Sequence, residues 1–349
     1  MTVHLMTPEI RSRKLDVTSI ENALVDMLVR GTENDLKTLQ LVKGTMKLVD
    51  TLEQERVLGQ VGSLKPEVEV GGSAANVLRA LAILGGSASY SSVVGEDAYG
   101  KAFADRLKHL SIKSRLVFEK GQTGTCVVVV TEDGERTLNT HLGVCTSYHF
   151  RHVPKDDIAD SKIFFTTGYA WDTQNQKDAI RHAIAHATES GSLVALDVAD
   201  AFVVERSGAE IRAVLEESVD IAFANSKESA ILTGATGAEG ARRLGEWVRL
   251  AIVKDGADGS FISYQGDLIH VPAPTVKVTD TTGAGDFYAG GFLFGLCRGL
   301  PIEVCGAIAT CLGSDTVTHM GVRHSQDIVE RVRSIVQKYG YSGSLIGNA

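Results

Sequence analysis

Near the carboxyl end of the chain runs Asp280-Thr281-Thr282-Gly283-Ala284-Gly285-Asp286-Phe287-Tyr288-Ala289-Gly290-Gly291. Gly283 and Gly285 let the backbone turn sharply and aim successive N–H groups into one small space. A helix starting at about Ala284 adds its free first-turn N–H groups and the positive end of its dipole. A phosphate fits such a hole. Asp286, in that first turn, sets a carboxylate beside the anion. Such a charge is repulsive unless it has work to do, such as taking a proton from an attacking hydroxyl. On these residues alone a tight turn followed by a favourable first-turn acid explains the stretch equally well.

Other segments offer partners. Asn22 and Asp26 follow a strand read at Leu15 to Ile20, and polar groups just past a strand's carboxyl end are where open α/β sheets bind ligands; a turn asparagine and a capping aspartate compete. In Gly71-Gly72-Ser73-Ala74-Ala75-Asn76, Gly72 permits close backbone approach, Ser73 suits a helix N-cap, and Asn76 points its amide one turn in. A helix packed on a sheet through its alanines is the alternative. Asn225 and Glu228, polar groups three apart at a strand end, suit a hydrated Mg²⁺ or a plain capping box. Lys254, Gly256 and Gly259 make a turn that admits nucleotide phosphates or ribose, or an ordinary hairpin. Arg136 sits on a hairpin where it reaches a substrate or only solvent. Gly95 to Ala102 approximates a phosphate loop, but Ala102 cannot ligate magnesium and Asp97 to His109 reads as helix, so that motif is set aside. His182 and His186 share a helix face without a third ligand.

The elements that must position these groups read as α/β. Near-continuous apolar strands at Lys162–Thr167, Ser192–Asp197, Val219–Ala224 and Leu250–Lys254 alternate with helices, as in a parallel sheet covered on both faces. Further strands are read at Ala88–Val94 and His270–Thr279. Strands Thr125–Thr131 and Glu135–Thr140, joined through Asp133-Gly134, form a hairpin. With the alternating Glu67–Val70 they suggest a small accessory sheet. Helices are expected at Asn34–Val42 and Asp50–Val57, and two more between Pro301 and Tyr339.

The 349 residues carry a net charge of −8, with 44% hydrophobic and 22% charged residues. That is an ordinary globular composition without a basic face for nucleic acid or anionic lipid. Phosphate binding must then be local. Five cysteines without a CxxC pair read as reduced thiols in a cytoplasmic protein. The stretch Met1 to Lys14 is too polar for a signal peptide, and no run is long enough to span a membrane.

In this order the segments resemble one family, the ribokinase-like or PfkB carbohydrate and nucleoside kinases, from about Leu15 to Lys338. The carriers are the Asp280–Gly291 signature, Gly71–Asn76, Gly95-Glu-Asp-Ala-Tyr-Gly100 and Asn225-Ser-Lys-Glu228. The resemblance implies a Rossmann-like α/β fold: a central mostly parallel sheet with helices on both faces, in one domain over 1–349. A β-sheet lid inserted from about 27–70 and 114–142 is expected, and with it a homodimer through the lid. It implies transfer of the γ-phosphoryl of Mg-ATP to a primary hydroxyl. Asp286 is then the general base, and Gly283, Ala284, Gly285 and Asp286 form the anion hole. Asn225 and Glu228 organise Mg²⁺ through water, with Asn225, Lys254, Gly256 and Gly259 on the nucleotide. Asn22, Asp26, Gly72, Asn76 and Arg136 hold the acceptor, and Asp280 and Thr282 occupy a K⁺ position used by some members.

Asn22-Ala-Leu-Val-Asp26 with Gly168-Tyr169-Ala170-Trp171 resembles the adenosine-kinase-like branch, with Tyr169 or Trp171 available to stack on a base or to pack in the core. The acceptor expected is a nucleoside, with ribose or fructose as the alternative and an inactive ligand-binding regulator as a third reading. A nicotinamide enzyme is disfavoured, because no first-strand GxGxxG exists. Three features depart from the family: Glu21 where a glycine usually precedes the asparagine, Lys254 in place of a commoner threonine, and the extension 1–14. Glu21 is expected to crowd or recharge the acceptor pocket.

Overall fold

The computed structural model describes residues 5–347; residues 1–4 of the N-terminal extension lie outside them. Fourteen strands are numbered in chain order. β1 is Leu15–Ile20, β2 Leu24–Arg30, β3 Met46–Leu48, β4 Glu67–Val70 and β5 Ala88–Gly95. β6 is Lys113–Glu119, β7 Gly124–Val130, β8 Arg136–His141 and β9 Ser161–Thr167. β10 is Leu193–Asp197, β11 Ile221–Asn225, β12 Leu250–Lys254, β13 Ser260–Tyr264 and β14 Asp267–Val271.

Nine strands form the main sheet in the order β14-β13-β12-β11-β10-β9-β1-β5-β6. β6 through β12 in that sheet run parallel, and β13 and β14 add an antiparallel hairpin. Successive strands step one way from β1 through β5 to β6 and the other way from β9 to β12. The crevice outside the carboxyl ends of β1 and β9 is therefore the topological switch point, the place where such sheets take ligands.

The second sheet has the order β3-β8-β7-β2-β4. Its side chains alternate between two faces, as pleating requires. Met27, Val29, Val127 and Val129 pack under Leu36 and Leu39 of the helix Glu33–Leu39 and Val57 and Val61 of the helix Thr51–Val61. Leu28, Cys126, Val128 and Val130 form the opposite face. These two helices thus cover the outer face of the small sheet.

Several boundaries differ from the sequence expectation. The small sheet begins at Leu24, so Asp26 stands on a strand rather than in a turn after β1. Residues 113–119 pair with β5 in the main sheet, and the second lid segment starts at Gly124. The strand before the signature ends at Val271; Pro272 and Pro274 lack the N–H a longer ladder needs. Asp97 caps the helix Ala98–His109, which disposes of a phosphate loop there.

The helix Ala284–Cys297 is buried from Phe287 to Cys297. Gly290 and Gly291 allow this: added Cβ atoms would lie 2.4 Å from the Val77 carbonyl oxygen and 2.6 Å from Leu312 Cδ1. The helix Ser73–Ile83 therefore packs against it closely enough to share a site at their N-termini.

Candidate active site

A cavity of about 390 Å³ opens at the switch point. The carboxyl ends of β1, β10, β11 and β12 make its floor, the inner face of the small sheet its roof. Asp286 sits where the N-termini of the Ser73–Ile83 and Ala284–Cys297 helices meet. Its Oδ1 accepts from Ser73 Oγ at 2.7 Å and its Oδ2 from Asn76 Nδ2 at 2.9 Å. Burial pushes the Asp286 carboxyl above its ordinary range; the Ser73 and Asn76 donors oppose this, and the nearby Asp197 charge reinforces it. The result is a carboxylate held by both oxygens, facing the cavity and more basic than usual, as a general base should be. Ser73 is the first residue of its helix and Gly72 the N-cap, at φ +92°. The expected cap is thus a ligand of Asp286 instead.

Gly283 takes φ +72°, and a Cβ there would meet Val322 Cγ2 at 2.7 Å. Asp280 is fully buried and ties this turn down: Oδ1 accepts the Thr282 N–H and hydroxyl at 2.9 and 2.6 Å, and Oδ2 accepts the Gly321 N–H at 2.9 Å. A Cβ on Gly285 would lie 3.1 Å from Lys254 Nζ. The ammonium therefore lies over the first turn of the Ala284 helix, where an anion would sit.

Lys254 pairs with Asp197 Oδ2 at 2.7 Å. Burial works against its charge, but Asp197 and Glu228 more than offset it, and its pKa is raised. Asp197 also accepts the Ala199 N–H at 3.0 Å, with Ala199 at φ +78°. A left-handed alanine costs about 1–2 kcal/mol, a strain placed on the cavity wall. Asn225 and Glu228 form a full capping box on the helix Ser226–Thr233, with Glu228 N–H to Asn225 Oδ1 at 3.0 Å and Asn225 N–H to Glu228 Oε2 at 2.7 Å. Both groups nonetheless line the cavity. Burial, chiefly, raises the Glu228 carboxyl.

On the other side, Asn22 is committed to protein: Nδ2 donates to the Tyr169 carbonyl at 2.9 Å and Oδ1 accepts from Gln176 at 2.7 Å. Asp26 is 9% exposed and lines the cavity, and its carboxyl group has no hydrogen bond or ion pair to protein among the described residues. Burial, with Asp286 and Glu69, pushes its carboxyl to about 7, while Arg136 pulls the other way. Gly71 makes room for it, since a Cβ would lie 2.0 Å from Asp26 Oδ2. Tyr169 lines the cavity, whereas Trp171 is fully buried with its Nε1–H on Glu210 and belongs to the core. Gly256 and Gly259, at φ +55° and +89°, border an adjoining cavity of about 330 Å³ walled by Pro274, Val276, Val278 and Val317.

The structure thus brings all the sequence-predicted residues to one crevice except Asp280, which lies beneath the signature turn, Gly259, which borders the second cavity, and Trp171, which lies in the core. Three contributors carried no readable signal: Ser73 as a partner of Asp286, Asp197, and the bonding of Glu21. Among the described residues no group of three His, Cys, Asp or Glu side chains is arranged to hold a metal ion by itself. A Mg²⁺ arriving with a nucleotide and bound through water at Asn225 and Glu228 is compatible with that donor set.

Comparison with known proteins agrees with this fold. Residues 50–328 match the family model of pfkB family carbohydrate kinases. The solved structure of adenosine kinase from Sinorhizobium meliloti is 32% identical, with a TM-score of 0.87 over 92% of this chain and 99% of that one. That of a probable sugar kinase protein from Rhizobium etli CFN 42 is 30% identical, with a TM-score of 0.88 over 94% of this chain and 99% of that one. The nucleoside kinase of Methanothermobacter thermautotrophicus is 28% identical over 78% of this chain and 86% of its own length.

Proposed function

This chain belongs to the pfkB carbohydrate kinase family, as a kinase of its adenosine-kinase-like branch, and we propose that it moves the γ-phosphoryl of Mg-ATP to a primary hydroxyl of a nucleoside. The observation that carries this reading is Asp286, clamped by Ser73 and Asn76 at the edge of a first-turn anion hole. The acceptor hydroxyl gives its proton to Asp286 as its oxygen attacks the γ-phosphorus, and the bond to the ADP oxygen breaks. The Gly283–Asp286 amides and Lys254 face the charge that spreads over the equatorial oxygens; prearranged donors of this kind supply most of the rate in phosphoryl transfer. Mg²⁺, held through water by Asn225 and Glu228, would neutralise phosphate charge. The Asp280–Thr282 turn is the place for a K⁺ in this reading.

Adenosine is the first acceptor to test. The roof is apolar, with Met46, Leu48, Cys126, Val128, Leu138 and Leu142, and suits a base better than a bare sugar. Beneath it the unpartnered Asp26 carboxylate can bridge two vicinal hydroxyls of a ribose, and Arg136 closes from the roof. The adjoining apolar cavity between Gly256, Gly259 and Val276 would take the base of ATP. No helix among the described residues is long and apolar enough to cross a membrane. The test is an ADP-release screen with Mg-ATP against nucleosides and free sugars, with and without K⁺. Nucleoside-dependent release above the sugars is expected; release driven best by ribose or fructose would overturn the acceptor assignment.

A further inference from the structure

One buried acid on the cavity wall has no part in this scheme. Glu21, at the end of β1, is 4% exposed and borders the acceptor cavity. The sequence suggests a group that crowds or recharges that cavity, but its carboxylate is already engaged. Oε1 accepts from Thr167 Oγ1, at the end of β9, at 3.1 Å, and Oε2 accepts the Ala74 N–H. Ala74 is the second residue of the Ser73–Ile83 helix, whose own N-cap, Gly72, has no side chain to offer. Gly72 cannot readily become a capping serine either: at φ +92° its Cβ would lie 2.9 Å from the Asn22 carbonyl oxygen. The helix is therefore capped from across the crevice, by a carboxyl oxygen that accepts one of its free first-turn N–H groups.

That first turn is also the clamp on Asp286, through Ser73 and Asn76. We propose that Glu21 is a positioning residue for Asp286: by tying the Ser73 helix to the ends of β1 and β9, it fixes the two donors that aim the base. The environment makes an incidental acid costly. Burial, with the Asp286 and Asp197 charges, pushes the Glu21 carboxyl up to about 8, against the Ala74 and Thr167 donors.

The inference rests on the kinase reading, and the test separates the two. Steady-state kinetics are measured on the full chain with Mg-ATP and its best acceptor, for wild type, Glu21→Ala, Glu21→Gln and Thr167→Val. Misaiming a base by a fraction of a bond length lowers kcat by about 10–100-fold, so Glu21→Ala should lose that much kcat with KM for ATP unchanged. Glu21→Gln, whose amide oxygen still accepts the Ala74 N–H, should restore most of it. Thr167→Val, which removes one tether, should lower kcat by about threefold, on the scale of a single weak hydrogen bond. A folded Glu21→Ala with wild-type kcat, or a Glu21→Gln as poor as Glu21→Ala, overturns the assignment. If Glu21→Ala does not fold, an unaltered kcat in Thr167→Val overturns it. Wild type inert toward every acceptor would overturn the kinase reading itself, and Glu21's role with it.

Discussion

The two sides of the crevice are built from different materials. The side proposed for the nucleotide is mostly backbone: the Gly283–Gly285 turn, the Gly256–Gly259 turn, a helix N-terminus and an apolar slot, with Lys254 held in place by Asp197. The side proposed for the acceptor is mostly side chains, and three of them are acids, Asp26, Asp286 and Glu21, on three different elements. Backbone N–H groups bind any phosphate of the right shape at little cost. Carboxylates buried together raise one another's pKa and cost stability unless each has a donor. On the proposed reading, the division suits a donor that is always the same and an acceptor that must be distinguished from many polyols.

Substitutions on either side should therefore fail differently. The largest effect is expected at the junction: Asp286→Asn should lower kcat by about 10²–10⁴-fold, with ATP affinity, measured by calorimetry, kept. Gly71→Ala should force the Asp26 carboxylate aside and raise KM for the acceptor by about 10–100-fold, the worth of a charged hydrogen bond, leaving KM for ATP alone. Lys254→Met should do the reverse, raising KM for ATP by about 10-fold with acceptor KM unchanged. Equal changes in both constants for either variant would erase the distinction between the sides.

The smallest effect is on stability. Glu21 and Asp26 hold protons to about 8 and about 7 in the folded chain, against 4.5 and 3.8 for the free groups. Between these values the native state binds more protons than the unfolded one, so this contribution to stability is present at low pH and is lost as pH rises towards 8. Thermal melts should show Glu21→Gln gaining on wild type from pH 5 to pH 8 to 9; a constant difference would mean that Glu21 does not titrate as its burial implies.

The same contrast decides what could be read from the chain. The glycine turns on one side were legible because glycines announce positive φ and close approach, as at Gly283 and Gly259, and because an apolar helix follows the signature. The parallel strands and the Asp133-Gly134 hairpin were legible from pattern. The acceptor side was legible only in part. Asn22, Asp26 and Asn76 stood out as polar residues in apolar runs, but Ser73 looked like a cap and Asp197 like any strand end. Glu21 was expected to load the pocket, because nothing local shows that Ala74 and Thr167 reach it. Such roles arise from contacts between segments 53 to 213 residues apart, which no local propensity encodes. Trp171 failed as a candidate for stacking because an aromatic after a strand serves the core as readily as a ligand.

The most direct test of the central claim follows the phosphoryl group itself. ATP labelled at the γ position is incubated with Mg²⁺, the chain and adenosine, and the products are separated. Label on the nucleoside's primary hydroxyl, in step with ADP formed and lost in Asp286→Asn, is what this account predicts. ADP accompanied by labelled inorganic phosphate alone, or transfer undiminished in Asp286→Asn, would contradict it.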